Sequence, residues 1–395
     1  MAPNATSVVI VAARRTPIGA FQGRLASLTA PELGAAAIRA AVADAGLEPD
    51  AASETMMGCC LLSGLKQAPA RQASLGAGLA VGVPATTISK VCGSGMMAAM
   101  LGHDRIVGGA ADIVVAGGME SMSNSPYLLA KVRGGLRLGH GAVLDHMFSD
   151  GLEDAYEGRL MGHYADLAAE RCGVTRAEQD AYAARSVRRA QAAVREGCFA
   201  AEVTPFDVTT RKGSQRIDAD ETPGQRRADG LELLKPVFNA DGTVTAGNAS
   251  TISDGAAAMV LMRASEAERR GLTPLARFVA HSTEAREPGE YPFAPAGAVR
   301  KVLAKADWEL RDVDLFEINE AFATVALVAS RALGLDDDRL NIQGGACALG
   351  HPIGATGARI MVTLIHAMRR RGARRGVAAL CIGGGEATAV ALELV

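Results

Sequence analysis

Near its start the chain carries an apolar run, Val8-Val9-Ile10-Val11-Ala12-Ala13, which has the length of a buried strand and is too short to span a bilayer. Pro31 then opens a stretch in which Leu33, Ile38 and Val42 recur at helical spacing, and Gly46 closes it. Thr87 to Val91 reads as a short strand running into Cys92-Gly93-Ser94-Gly95. Met96, Met97, Met100 and Leu101 follow at the spacing of a helix's core stripe. Beyond Gly108-Gly109, Asp112 to Ala116 reads as a buried strand that ends at Gly117-Gly118. Strand, cysteine turn, helix and strand make one α/β unit.

From Met119 to Asn248 the pattern changes, with more charge and scattered prolines. Thr175 and Glu178 form a capping box, and the helix they open is expected to end before Gly197. Its Arg185, Arg188 and Arg189 read as a solvated face, and Arg211 to Asp229 as a polar surface loop. The region is read as an insertion that covers a site. Lys235-Pro236-Val237-Phe238 and Thr245 to Ser250 lead back to the apolar run Ala256 to Met262.

A second half then resembles the first. Ala276 to Ala280 reads as a strand, Pro295 opens a helix, and Asp314 to Ile318 is a strand running into Asn319-Glu320-Ala321-Phe322. The glycine-rich run Gly344 to Gly357 precedes a helix with a stripe of Ile360, Met361, Leu364 and Met368. Arg369, Arg370 and Arg371 end it before Gly372, where cations complement the negative end of the helix dipole. Val377 to Cys381 is a buried strand stopping at Gly383-Gly384-Gly385. Each half thus reads as small-residue turn, helix, strand and paired glycines. The expected organisation is a duplicated α/β chain: residues 1–118 with 249–273 as the first half, 119–248 as the insertion, and 274–395 as the second half.

Composition narrows the function. The 395 residues are 49% hydrophobic and include 45 glycines, as suits a large, closely packed protein. A formal charge of -2 argues against a general binder of nucleic acid or anionic membrane. Arg14 and Arg15 follow the first apolar run, where a secretory signal would place charge first. Seven cysteines without a signal peptide suit reduced thiols, and no Cys-x-x-Cys pair suggests zinc. Glu393-Leu394-Val395 matches no retention or peroxisomal address, so the cytoplasm is expected.

The chemistry centres on Cys92. A cysteine in the first turn of a helix feels the positive end of the dipole, which favours the thiolate, and Gly93 and Gly95 would let backbone approach a substrate. A nucleophilic cysteine needs a base, oxyanion donors and an acid. His351, in a loop before a helix, can be the base. Asn319, directly after a strand, can orient a water. Cys381, ending an apolar strand, is either inert core or a second thiol.

Taken in order, Val91-Cys92-Gly93-Ser94-Gly95, Gly247-Asn248-Ala249-Ser250, Asn319-Glu320-Ala321-Phe322, Gly350-His351-Pro352-Ile353-Gly354 and Cys381-Ile382-Gly383-Gly384-Gly385 resemble the thiolases over essentially the full chain. The resemblance implies duplicated α/β halves in a five-layered arrangement with an inserted loop domain. It implies an acyltransferase that condenses two acetyl-CoA reversibly to acetoacetyl-CoA and CoA through an acyl-cysteine. Cys92 would carry the acyl group, His351 would take its proton, and Cys381 would abstract the α-proton of the second acetyl-CoA. One oxyanion hole would use His351 and a water on Asn319, the other the backbone N–H groups of Cys92 and Gly383.

For coenzyme A the resemblance implies Ser250 and Ala246 at the pantetheine, Phe238 and Met161 as apolar contacts, Ala321 and Phe322 as further binding residues, Leu152 at the nucleotide end, and Arg226 or Arg227 at the phosphates. It implies no metal and no permanently bound cofactor, acyl-CoA substrates as the small-molecule partners, and a homodimer or homotetramer. Three residues depart from the family pattern: Gln343, expected to alter the support of the His351 loop; Glu386, at the wall behind Cys381; and Leu160 before Met161. The alternatives are a broad-range 3-ketoacyl-CoA thiolase of β-oxidation, a decarboxylating or hydroxymethylglutaryl-type condensing enzyme, which would lack the second thiol, and a non-catalytic acyl-CoA-binding protein.

Overall fold

The structure, a computed structural model, describes residues 7–210 and 213–395. The first half supplies β1 (Val8–Arg15), β2 (Gly19–Ala20), α1 (Ala30–Asp44), β3 (Glu54–Gly58), α2 (Pro69–Gly76), β4 (Ala85–Ile88), α3 (Ser94–Val107) and β5 (Ile113–Ser121). There follow β6 (Tyr127–Leu129), β7 (Val143–Asp145), α4 (Met161–Arg171), α5 (Arg176–Arg195), β8 (Phe206–Thr210), β9 (Gly213–Ile217) and α6 (Thr222–Gln225). The chain returns through β10 (Ser253–Arg263) and α7 (Ala264–Arg269). The second half holds β11 (Ala276–Ala285), α8 (Ala294–Ala306), β12 (Leu315–Ile318), α9 (Ala323–Leu333), α10 (Ala346–Leu349), α11 (Ile353–Arg371), β13 (Arg375–Ile382) and β14 (Glu386–Leu394).

The main sheet runs β12-β13-β14-β11-β1-β10-β5-β3-β4, with β2 on β10. Its two halves join where Val8 to Ile10 of β1 pair with Ala276 to Phe278 of β11. Both sheet halves bury apolar side chains against α3 and α11, including Met96, Met100, Ile360, Met361 and Leu364. Helices α1 and α2 cover the outer face of the first half, and α8 and α9 that of the second. The order helix, sheet, helix, sheet, helix gives five layers. Among the described residues no helix is long and apolar enough to cross a membrane.

The middle layer explains two departures from the sequence pattern. Every residue from Ile353 to Met368 of α11 is buried, not only the expected stripe, because sheet lies on both sides and α3 alongside; small residues fill the faces that the large ones leave. The glycines near Cys92 serve this packing more than a substrate. A Cβ on Gly95 would lie 3.0 Å from the Ala358 nitrogen, and one on Gly357 would lie 2.5 Å from the Met96 nitrogen. The N-terminal turns of α3 and α11 therefore meet backbone to backbone, which carries the loops before them to one place.

Gly117-Gly118 do not end their strand; β5 continues to Ser121 because the glycines pair with Ala258 and Ala257 of β10. The expected capping box forms, with Thr175 and Glu178 opening α5. Its arginines are not simply solvated. Arg185 forks onto Asp337 at 2.5 and 2.8 Å, and Arg189 donates to the Leu340 carbonyl at 2.8 Å, which docks α5 on the second half. Arg188 meets Asp229 at 2.7 Å with both side chains largely exposed. Of the expected polar loop, Arg211 lies outside the described residues, while 213–229 forms β9, paired with β8, and the short α6. Arg15, entirely buried, anchors the end of β1 to the insertion through Glu202 at 2.5 Å and Asp220 at 2.6 Å.

Candidate active site

Cys92 lies in the turn between β4 and α3. The strand stops at Ile88, the N-cap of α3 is Gly93, and Cys92 therefore sits just outside the helix, not in its first turn as expected. The turn is tight: Gly93 N–H donates to the Lys90 carbonyl at 2.9 Å, and the Ser94 hydroxyl accepts from Lys90 N–H and donates to the Val91 carbonyl. Val91 has φ of +46°, a left-handed conformation that strains a β-branched residue. The thiol is not acidified. Burial pushes its pKa up to about 11, and the backbone N–H groups of Gly383 and of Cys92 itself, directed at the sulfur, offset burial only in part. The expectation of a dipole-stabilised thiolate fails because desolvation of the anion outweighs those two donors. At neutral pH Cys92 is a thiol that needs a base.

His351 has the form of that base. Its Nδ1 lies 2.6 Å from the Thr356 hydroxyl, and that hydroxyl donates its one hydrogen to the Pro352 carbonyl at 2.9 Å. The hydroxyl must then accept from Nδ1–H, which leaves the lone pair on Nε2. Nε2 is buried with no partner among the described residues. Burial, aided by the Arg359 charge, lowers the imidazole pKa to about 3, so it is neutral. Asn319 follows β12 with its backbone N–H on the Ala379 carbonyl at 3.0 Å. Both its side-chain Nδ2 and Oδ1 are buried and unpartnered among the described residues. Such orphaned polar groups are costly unless a water or ligand answers them.

Cys381 is 1% exposed and packs with Met161, Phe238, Ala321 and Phe322. Burial, and then the neighbouring Cys92, hold its pKa well above the usual thiol value. Tyr291 feels both thiols and donates to the Met161 carbonyl at 2.9 Å. Gly383 is less constrained than expected: an added Cβ would meet Met161 and Val91 at ordinary contact distances, 3.5 and 3.6 Å. It is Gly384 and Gly385, with φ of +92° and +90°, that need glycine.

His351 borders a cleft of about 650 Å³, lined also by Leu152, Met161, Phe238, Ala246, Ser250, Phe322 and Ile353; Cys92 packs with Leu152 and Ile353, and Cys381 with Met161, Phe238 and Phe322, behind that lining. Ala321 does not line it; its carbonyl accepts from Ser250 N–H at 3.0 Å, so it shapes the wall from behind. Arg226 borders the cleft, but its guanidinium donates to the carbonyls of Cys347, Ala246, Gly247 and Ala249. These bonds brace the cleft wall. Arg227 is exposed beside it.

The departures have definite places. Leu160 lines the cleft and caps α4. Glu386 forms an ion pair with Lys90, joining the strand after Cys381 to the turn before Cys92. Gln343 meets the Cys198 thiol and leaves its buried Oε1 unpartnered among the described residues. The His351 loop is held by Thr356 and by Glu120, neither singled out by sequence. The Glu120 carboxylate accepts from the backbone N–H groups of Cys60, Leu61 and Gly354 at 2.9, 3.2 and 2.9 Å. A carboxylate ending an apolar strand was the only signal for it.

A five-layered duplicated fold with one cysteine from each half and a neutral histidine lining the adjoining cleft defines a class, and the chain is a member of the thiolase family. The family profile for the thiolase N-terminal domain matches residues 8–265, and that for the thiolase C-terminal domain matches residues 272–394. Among its relatives, an acetyl-CoA acetyltransferase of Pseudomonas aeruginosa is 50% identical over 98% of each chain. The Escherichia coli acetyl-CoA acetyltransferase is 48% identical, again over 98% of each. The crystal structure of the Bacillus anthracis acetyl-CoA acetyltransferase superposes with a TM-score of 0.96 at 43% identity, covering 98% of this chain and 99% of that one.

Proposed function

We propose that the chain is an acetyl-CoA C-acetyltransferase, condensing two acetyl-CoA to acetoacetyl-CoA and CoA, and reversing that reaction. One observation carries this reading: a neutral histidine with an unpartnered Nε2 lines an apolar cleft, and two thiols from different halves of the chain, near enough for Cys92 to raise the pKa of Cys381, pack against that lining.

His351 Nε2 takes the Cys92 proton as the sulfur attacks the acetyl carbonyl. The CoA sulfur leaves with the proton of Cys381, so Cys381 becomes the thiolate. That thiolate removes the α-proton of the second acetyl-CoA, and the carbanion attacks acetyl-Cys92. Collapse expels the Cys92 sulfur, which recovers its proton from His351. Protons balance: His351 holds the Cys92 proton until the Cys92 sulfur is released, and the proton that Cys381 gives to the departing CoA is replaced by the α-proton it takes from the second acetyl-CoA. The oxyanion at one stage meets protonated His351 and a water held by Asn319, and at the other the N–H groups of Cys92 and Gly383, which already point at the sulfur. A thioester acidifies its own α-carbon and supplies the leaving group, so no metal or permanent cofactor enters this cycle. The enzyme works as a cytoplasmic homo-oligomer; β4 ends the sheet order, so among the described residues one of its edges has no strand beside it and can meet a second copy.

The test is thiolysis of acetoacetyl-CoA and of longer 3-ketoacyl-CoAs by wild type, Cys92→Ala and Cys381→Ala. Wild type is expected to cleave the four-carbon substrate best and Cys92→Ala to be inactive. Cys381→Ala is expected to form acetyl-Cys92 from acetyl-CoA slowly and to fail at condensation. Preference for long chains would favour the broad-range thiolase, and no cleavage of any chain length would sink the proposal.

A further inference from the structure

We propose a binding site for one divalent transition-metal ion of the zinc class at the end of α3 remote from Cys92, formed by His103, Asp104 and His281. His103 Nδ1 lies 3.1 Å and His281 Nε2 2.8 Å from the same oxygen, Asp104 Oδ1. All the candidate ligand atoms lie within 4.8 Å of one another. A tetrahedral zinc ion with bonds of about 2.0–2.2 Å holds its ligands roughly 3.3–3.6 Å apart, so the two histidine–aspartate pairs would open by up to about 0.8 Å and any pair standing wider than that would draw in, shifts within reach of side-chain rotation.

The ligands are held in place. The His103 ring packs on buried Phe278 with centroids 4.7 Å apart and meets the His281 ring edge-on at 5.2 Å. The two histidine side chains are 15% and 17% exposed and Asp104 55%, which leaves an open side for water to complete the coordination. His103 and Asp104 stand near the C-terminal end of α3, whose dipole favours a cation. Lys305 donates to the His281 carbonyl at 3.0 Å, an opposing charge the site must tolerate.

The consequence is a bridge: α3 belongs to the first half and His281 to β11 of the second, so the ion would pin the two halves together roughly 14 Å along the helix from its active-site end. The test is calorimetric titration of chelator-treated, full-length protein with zinc chloride, beside His103→Ala, His281→Ala and Asp104→Asn. One ion per chain is expected, with affinity falling at least about tenfold in each variant. The wild type alone should gain in Tm with zinc. Cobalt(II) separates this site from the thiols, since nitrogen and oxygen ligands give visible bands without thiolate charge transfer. Absence of saturable binding, binding unchanged in both histidine variants, or a thiolate charge-transfer band would overturn the proposal.

Discussion

At the level of single residues, a protonated thiol and a neutral imidazole serve one active site, and the resting enzyme holds no ion pair to prime it. With its pKa near 11, Cys92 should be alkylated by iodoacetamide about ten times faster for each pH unit between about 7 and 9. The sign follows from the thiolate fraction, which rises with pH throughout that window. Mass spectrometry of the Cys92 peptide measures it, and a rate already level at pH 7 would show a much more acidic thiol. Thr356→Val should lower kcat about tenfold to a hundredfold with little change in KM, because the imidazole loses the acceptor that fixes its tautomer, and Thr356→Ser should restore activity. Equal losses in Thr356→Ser would remove the hydroxyl from the account. Cys92, His351, Asn319 and Cys381 were legible because each sits beside glycine or at a strand end in a distinctive local string. Thr356 and Glu120 were not, since their importance lies in what they bond to after folding.

Among the elements, the turn before α3 stores strain that the sequence could not reveal. Val91 is an ordinary strand residue in composition, and only the chain path forces its φ to +46°. Val91→Gly should relieve roughly 1–2 kcal/mol of that strain, partly offset by glycine's greater freedom in the unfolded chain, and should lower kcat as the Cys92 turn loosens. Urea unfolding alongside steady-state rates tests both; a marked loss of stability would contradict the strain. Gly357→Ala should cost about 1–3 kcal/mol, since its Cβ would lie 2.5 Å from the Met96 backbone nitrogen. Wild-type stability in that variant would mean that the two helices part easily. Periodicity located these helices well but not their surroundings. A stripe in α11 marks one buried face, whereas enclosure on every side comes from partners distant in sequence.

For the whole molecule, the insertion is placed in the first half by sequence and held by the second. Glu320 accepts from Tyr182 and Ser186 of α5 and from Asn341 and the Cys347 N–H of its own half, at 2.7 to 3.0 Å. Glu320→Gln would aim an amide N–H₂ at donors and should cost about 2–3 kcal/mol. The measurable result is a lower Tm with faster limited proteolysis within residues 119–248; proteolysis at the wild-type rate would show that other contacts, such as Arg185 with Asp337, suffice to dock it. The duplication was visible as a repeat of turn, helix, strand and glycines, but the cross-half docking was not, because charged helical residues look the same facing water or a neighbour. The enclosed middle layer has a further implication. Each half contributes one of the two helices that the other must cover, so neither is expected to be soluble alone. Severed in the exposed link at Gly271, the two pieces should nonetheless find each other when co-expressed and regain activity as a non-covalent pair.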